Sequence, residues 1–203
     1  MVRFFQILFF IIFHAPLGFL LRSKIYGAEN VVLKNEEGLI IAANHHSKID
    51  PFLILLLPFS VVKKLVPIYF LTAERYYKKL LLKPFIKSLG AYPIKERAWT
   101  IEEFLGSGLE RLQRNQKIMI FPEGKIVKEL SEKNIKPGIG YLAEESHASI
   151  LPVHIQGTYG ISFFGVLLRR HSITLSIGKP FQLGMPLNHI EAARKIIHTI
   201  YAL

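Results

Sequence analysis

Residues 4–21, FFQILFFIIFHAPLGFLL, contain no Lys, Arg, Asp or Glu. As an α-helix this run extends about 27 Å at roughly 1.5 Å per residue, just short of a bilayer core of about 30 Å. A segment of this kind has three fates: it enters lipid, it is covered by protein, or it is removed as a secretory signal. Gln6, His14, Pro16 and Gly18 interrupt it, and Pro16 predicts a bend or a break. The only positive charge at its start is Arg3, and no small-x-small cleavage pattern precedes Arg22 and Lys24. The expectation is a retained anchor over residues 1–24, embedded in the membrane or lying in its interface, with a second unit over residues 25–203.

The rest of the composition favours the same kind of partner. Lys and Arg total 26 against 15 Asp and Glu, a net charge of +11, and half the residues are apolar, 15 of them Phe. A partner both anionic and apolar, such as a phospholipid surface, satisfies both properties, whereas nucleic acid satisfies only the first. Residues 63–97 carry nine Lys or Arg against Glu74 and Glu96, interleaved with Leu, Phe, Tyr and Val. That pattern suits interfacial docking or binding of an acidic carrier. There is no cysteine, which removes disulfides, Cys-ligated metals and thiol nucleophiles together.

Downstream of residue 25 apolar runs alternate in type. Residues 39–43, 117–121, 150–155 and 172–178 read as strands; residues 51–57, 101–114 and the tail from Asn188 read as helices. Asn188 and Glu191 form a capping box. Strands separated by helices predict an α/β domain on a single, largely parallel mixed sheet flanked by helices. The N-terminal membrane-associated helical segment completes this fold class.

The chemistry concentrates in Ala43-Asn44-His45-His46-Ser47-Lys48-Ile49-Asp50-Pro51, directly after a buried strand, where α/β sheets place their ligands. On a continuous helix His45 and Asp50 would point about 140° apart; fully extended they would be roughly 16 Å apart. Only a tight turn unites them, and Asp50 before Pro51 suits one, as N-cap and first helical residue. A carboxylate on one imidazole nitrogen leaves the other free to accept a proton, giving a general base without its own nucleophile. Read as metal ligands, His45, His46 and Asp50 lack the i, i+4 partner such a site needs. Gly138-Ile139-Gly140-Tyr141-Leu142-Ala143 fits a loose dinucleotide pattern, but the polar residues 131–136 precede it instead of a strand, so that reading is rejected.

Asn44-His45 followed by Asp50 resembles the His-x4-Asp signature of the glycerolipid acyltransferase family, which includes lysophosphatidic acid acyltransferases. Gly27-Ala28-Glu29-Asn30 resembles that family's opening segment and Gly90-Ala91-Tyr92-Pro93-Ile94 its second block. Phe121-Pro122-Glu123-Gly124 resembles the third block, Lys136-Pro137-Gly138 the stretch after it, Leu151-Pro152-Val153 the fourth, and Ile177-Gly178-Lys179-Pro180 the closing strand. The resemblance implies that His45 is the base, that Asp50 orients it, and that the Glu123-Gly124 turn lines the acceptor pocket. Substrate contacts are accordingly expected from Asn44, Ser47, Lys95, Arg97, Phe121, Pro122, Glu123, Gly124 and Lys125, with no metal and no bound cofactor. Two departures stand out. Lys125-Ile126 replaces the usual Thr-Arg, and Glu96, flanked by Lys95 and Arg97, replaces an arginine associated with the acceptor's phosphate. Lysine meets phosphate as a point charge without the bidentate fork.

What the resemblance implies is therefore transfer of a fatty acyl group to the hydroxyl of a lysophospholipid or related lipid. The donor would be acyl-CoA or an acylated acyl carrier protein, and the oxyanion donors backbone N–H groups near the helix start at Pro51. The expected location is a membrane surface with the site on its cytoplasmic side. The rival readings are a non-catalytic protein binding anionic membranes, a hydrolase passing the acyl group to water and, third, a nucleic-acid binder.

Overall fold

The computed structural model describes residues 1–32, 37–80, 82–94, 98–184 and 187–203. The strands are β1 (Lys24–Tyr26), β2 (Leu39–Ala43), β3 (Ile68–Thr72), β4 (Ala91–Pro93), β5 (Lys117–Ile120), β6 (Ser149–Gln156) and β7 (Thr174–Ile177). The helices are α1 (Val2–Leu20), α2 (Asp50–Leu53), α3 (Phe59–Leu65), α4 (Glu74–Tyr77), α5 (Leu82–Ser88), α6 (Ile101–Gln113), α7 (Gly138–Ser146), α8 (Phe163–Leu167) and α9 (His189–Tyr201). The strands form one sheet in the order β1-β7-β6-β2-β5-β3-β4. β2 runs parallel to both neighbours, β5 and β6, β3 runs parallel to β4 and β5, and β1 runs parallel to β7; among the described strands β6 and β7 alone pair antiparallel.

β2 is the centre of this arrangement because all five of its residues are apolar and buried, as a strand covered on both faces requires. Its side chains alternate between two cores. Ile41 and Ala43 pack with residues 53–57 and with α3, while Ile40 and Ala42 pack with α6, α7 and α9. Helix α9 starts where its capping box places it, with the Asn188 side chain accepting from the Glu191 amide at 2.9 Å.

Three differences from the sequence-based expectation have physical causes. β1, β3 and β4 fall in stretches that carry no readable alternation, β1 and β4 being only three residues long. Helix α1 continues through Pro16. Pro16 lies in its last two turns, so few backbone bonds depend on it. Helix α1 is also docked on the domain by the residues that interrupt its apolar run. Gln6, Phe10 and His14 recur every four residues and share one face. The Gln6 amide accepts from Ile68 N at 3.0 Å and donates to Ile68 O and Leu89 O at 2.6 and 2.9 Å. The His14 Nδ1 lies 3.0 Å from Leu55 O. The opposite face leaves Phe4, Leu8, Ile11 and Ile12 exposed.

The rejected glycine pattern has a packing role. Gly140 of α7 is where α9 crosses closest, and a Cβ there would collide with the His189 carbonyl. Gly140→Ala is expected to cost about 1–3 kcal/mol through that clash, read as a drop in Tm. Gly138→Ala, whose Cβ meets only the tip of Leu105 at 3.1 Å, should lose less; equal losses would contradict this packing.

Candidate active site

Strand β2 delivers the chain to the sheet edge at Ala43, and residues 44–49 fold back on themselves before α2 begins. Two short turns make the reversal, Asp50 N donating to Ser47 O at 3.2 Å and Phe52 N to Ile49 O at 2.9 Å. Asp50 is fully buried. Its Oδ2 accepts from His45 Nδ1 at 3.0 Å and from the amides of His46 and Ser47, each at 2.7 Å. Asp50 therefore does not cap its own helix: its carboxylate turns back onto the preceding loop and satisfies that loop's amides instead.

An ionised carboxylate only accepts, so His45 Nδ1 carries the proton in this contact and the lone pair is left on Nε2. The His45 ring stacks on Phe121, with centroids 4.1 Å apart and planes 21° from parallel. Its carbonyl accepts from Val127 N at 2.9 Å, tying the loop that carries His45 to the one that carries Gly124. The imidazole keeps 18% of its surface exposed, on the wall of a cleft of about 1050 Å³. That volume is at the upper end of the roughly 300–1,000 Å³ usual for small-molecule sites. The inner wall is apolar and buried, formed by Ile54, Leu55, Ile68, Leu89, Leu105 and Met119, whereas Lys48, Lys125 and Lys136 contribute exposed ammonium groups.

The expected site residues separate into two layers. His45, Phe121, Pro122, Gly124 and Lys125 line the cleft. Asn44, Ser47, Asp50 and Glu123 are buried behind it. Asn44 extends the sheet contact past Ala43, accepting from Ile155 N at 2.6 Å and donating to Ile155 O at 2.8 Å. Lys95 and Arg97 lie outside the described residues. The amides of Asp50 and Phe52 at the start of α2 are taken up by the two turns, and Pro51 has none, which removes them as free oxyanion donors.

Behind the cleft sits a polar wall whose distal members carry no local sequence signal. Tyr201, at the end of α9, donates its hydroxyl to Glu123 Oε1 at 3.0 Å, while Glu123 Oε2 has no partner among the described residues. Burial pushes the Glu123 carboxyl up, partly offset by nearby backbone amides and by Tyr201. Burial and the Glu123 charge push the Tyr201 phenol up in turn, so it stays a donor. His154 of β6 lies 5.2 Å from the Tyr201 ring between centroids, and its buried Nδ1 has no partner among the described residues. Burial lowers the pKa of His154, and so does His46 beside it. Burial likewise lowers that of His46, against the opposing pull of Asp50. A histidine interrupting the otherwise apolar run 150–155 was the one hint available for this wall.

The family model described as Acyltransferase matches residues 22–156, well over half of the chain. Among solved structures, the 1-acyl-sn-glycerophosphate (LPA) acyltransferase PlsC from Thermotoga maritima superimposes with a TM-score of 0.62 at 22% identity, over 90% of this chain and 73% of that one. At this identity the likeness establishes a shared fold, and Tyr201 lies beyond the matched family segment.

Two stability predictions follow from the wall. His46 and His154 are held below their ordinary 6.5, so the unfolded chain takes up protons first as pH falls. Stability is present above about pH 6.5 and is lost on acidification below it, and in urea titrations at pH 7.5 and 5.5 His154→Leu should reduce that loss. Glu123 is raised above its ordinary 4.5, so its penalty appears as pH rises past that value. Glu123→Gln should raise Tm at pH 7 and change it little at pH 4; a gain that does not change with pH would contradict the assignment.

Proposed function

The chain belongs to the acyltransferase family, and on that premise we propose that it moves a fatty acyl group from a thioester to the hydroxyl of a lysophospholipid or related lipid, with His45 as general base. The observation that carries the proposal is the His45 imidazole, held by Asp50 at Nδ1, on the wall of a large apolar cleft with a basic rim. In the reaction, Nε2 takes the proton from the acceptor hydroxyl as its oxygen attacks the thioester carbonyl. The tetrahedral intermediate collapses with cleavage of the C–S bond, and the protonated imidazole returns its proton to the departing thiolate, leaving the ester. Each proton moves through one residue, and no group on the chain needs to be acylated.

The apolar wall suits the acyl chain. Lys48, Lys125 and Lys136 suit the phosphates of a CoA or carrier-bound donor and of a phospholipid acceptor, as point charges rather than bidentate forks. The structural relative is named for lysophosphatidic acid; here Lys125-Ile126 stands where the family resemblance expects Thr-Arg, which favours a broader choice of acceptor. Asn44, Ser47 and Asp50 act as positioning residues, and Glu123 acts on the acceptor side through the turn at Gly124. Residues 1–24 form an interfacial anchor rather than a separate span. The Gln6–His14 face is committed to the domain and the opposite apolar face is open to lipid.

Purified protein given labelled acyl-CoA or acylated carrier protein and a panel of lysolipids should form the diacyl product. His45→Ala should lower the rate by about 10²–10⁴-fold without loss of fold. Asp50→Asn, which replaces the carboxylate by a neutral amide with an NH2 donor, should cost at least about tenfold. Release of free fatty acid independent of acceptor would identify a hydrolase, and vesicle binding with no turnover in the wild type would leave only a lipid-binding role.

A further inference from the structure

β6 and β7 are antiparallel neighbours, with Gln156 opposite Thr174. Two to five residues suffice to close such a pair. Residues 157–173 instead leave the sheet, form α8 and return. This excursion is tightly built. The Ser162 hydroxyl caps α8 by accepting from Gly165 N at 3.1 Å, Arg170 N donates to Gly165 O at 2.8 Å, and Arg169 closes the turn in the left-handed region at φ 53°. Yet its largest side chains face solvent: Phe163 is 78% exposed and Phe164 73%, with Leu167 and Leu168 also exposed. Ordered backbone that presents adjacent exposed aromatics marks an interaction surface.

The charge around this surface is one-sided. No Asp or Glu occurs between Glu145 and Glu191, or before Glu29. The segments from those two stretches meet here. The Arg169 guanidinium sits 3.9 Å from the centroid of the Phe19 ring on α1. Ile173 N donates to Leu21 O at 3.2 Å, and the Ser172 hydroxyl donates to Arg22 O at 3.4 Å. Arg22, Arg169 and Arg170, all exposed, therefore border four exposed apolar side chains and the open face of α1. The place in the fold matters as well. Lys24, Thr174 and Gln156 stand in one register row at the end of β6, the same sheet edge at which β2 ends and hands the chain to His45.

We propose that residues 163–170 form a second membrane contact, in which Phe163 and Phe164 enter the headgroup–acyl boundary of an anionic leaflet while Arg169, Arg170 and Arg22 lie on its phosphates. The assignment rests on the reading of this protein as one that works on membrane lipids, and it names the surface that would present the catalytic edge to them. Apolar burial and lipid charge each contribute, as they do for interfacial elements generally. With α1 as the first contact and α8 as the second, the domain is fixed in orientation rather than tethered at one point.

The chain contains one tryptophan, Trp99, 96% exposed, so Phe163→Trp in a Trp99→Phe background gives a single reporter at a position that packing does not constrain. The protein is bound to phosphatidylglycerol vesicles whose acyl chains are brominated near the headgroup. The expected result is a blue-shifted emission quenched by the bromines. A solvent-like, unquenched emission from vesicle-bound protein overturns the proposal, and a blue shift already present in detergent with a doubled mass overturns it in favour of a second copy of this chain. Neither readout involves turnover, so a failure of the acyltransfer reading would show separately. As an independent arm, Phe163→Ser with Phe164→Ser should keep its rate on detergent-dispersed substrate and lose about tenfold on vesicles; equal rates on both would count against the surface.

Discussion

Asp50 Oδ2 gathers three donors within 3.0 Å, the His45 ring and the amides of His46 and Ser47. Hydrogen bonds to a charged group contribute about 1.5–3 kcal/mol each, and these three work against the several kcal/mol needed to bury a carboxylate whose Oδ1 has no partner among the described residues. Remove that side chain and two amides and an imidazole lose their partner together, so the shape of the loop and the tautomer of His45 fail as one. The same oxygen thus sets a backbone path and a protonation state, which couples the fold to the proposed chemistry.

The loop can be so short because what flanks it is rigid. β2 is buried on both faces, and Asn44 prolongs its pairing to Ile155 by two further hydrogen bonds. Val127 bonds to the His45 carbonyl, and Phe121 stacks on the ring, so the third sequence block is held in register with the first. Both ends of the chain then close around this core. Gln6 of α1 reaches the start of β3 and the cleft wall, while Tyr201 of α9 holds Glu123 from behind. The first, third and fourth blocks lie in or directly after β2, β5 and β6, which are neighbours in the sheet although not consecutive in the chain, and the two terminal helices reach the site by packing alone.

Much of this was legible in the residues. β2, β5 and β6 announce themselves as apolar runs of strand length, α9 by its capping box, and the turn between His45 and Asp50 by the absence of any regular structure that would bring them together. Other features were not, for identifiable reasons. β1 and β4 are too short to show a period, and β3 lies in the basic stretch after Pro67. Gln6 and His14 looked like flaws in an apolar helix, since nothing local reveals that Ile68, Leu89 and Leu55 offer them backbone partners. Asp50 was expected to cap the helix it begins, and only the folded loop shows its carboxylate turned the other way. Tyr201 is 78 residues from Glu123, a distance across which no spacing rule operates.

The central claim is that Asp50 fixes the His45 imidazole with its proton on Nδ1 and its lone pair on Nε2. Nitrogen-15 NMR of histidine-labelled protein, with His45 assigned by its loss in His45→Ala, reads this directly. The account predicts the Nδ1–H tautomer, with the preference abolished in Asp50→Ala, which leaves no acceptor at that position. A His45 ring protonated at Nε2, or one whose tautomer is indifferent to residue 50, would contradict it.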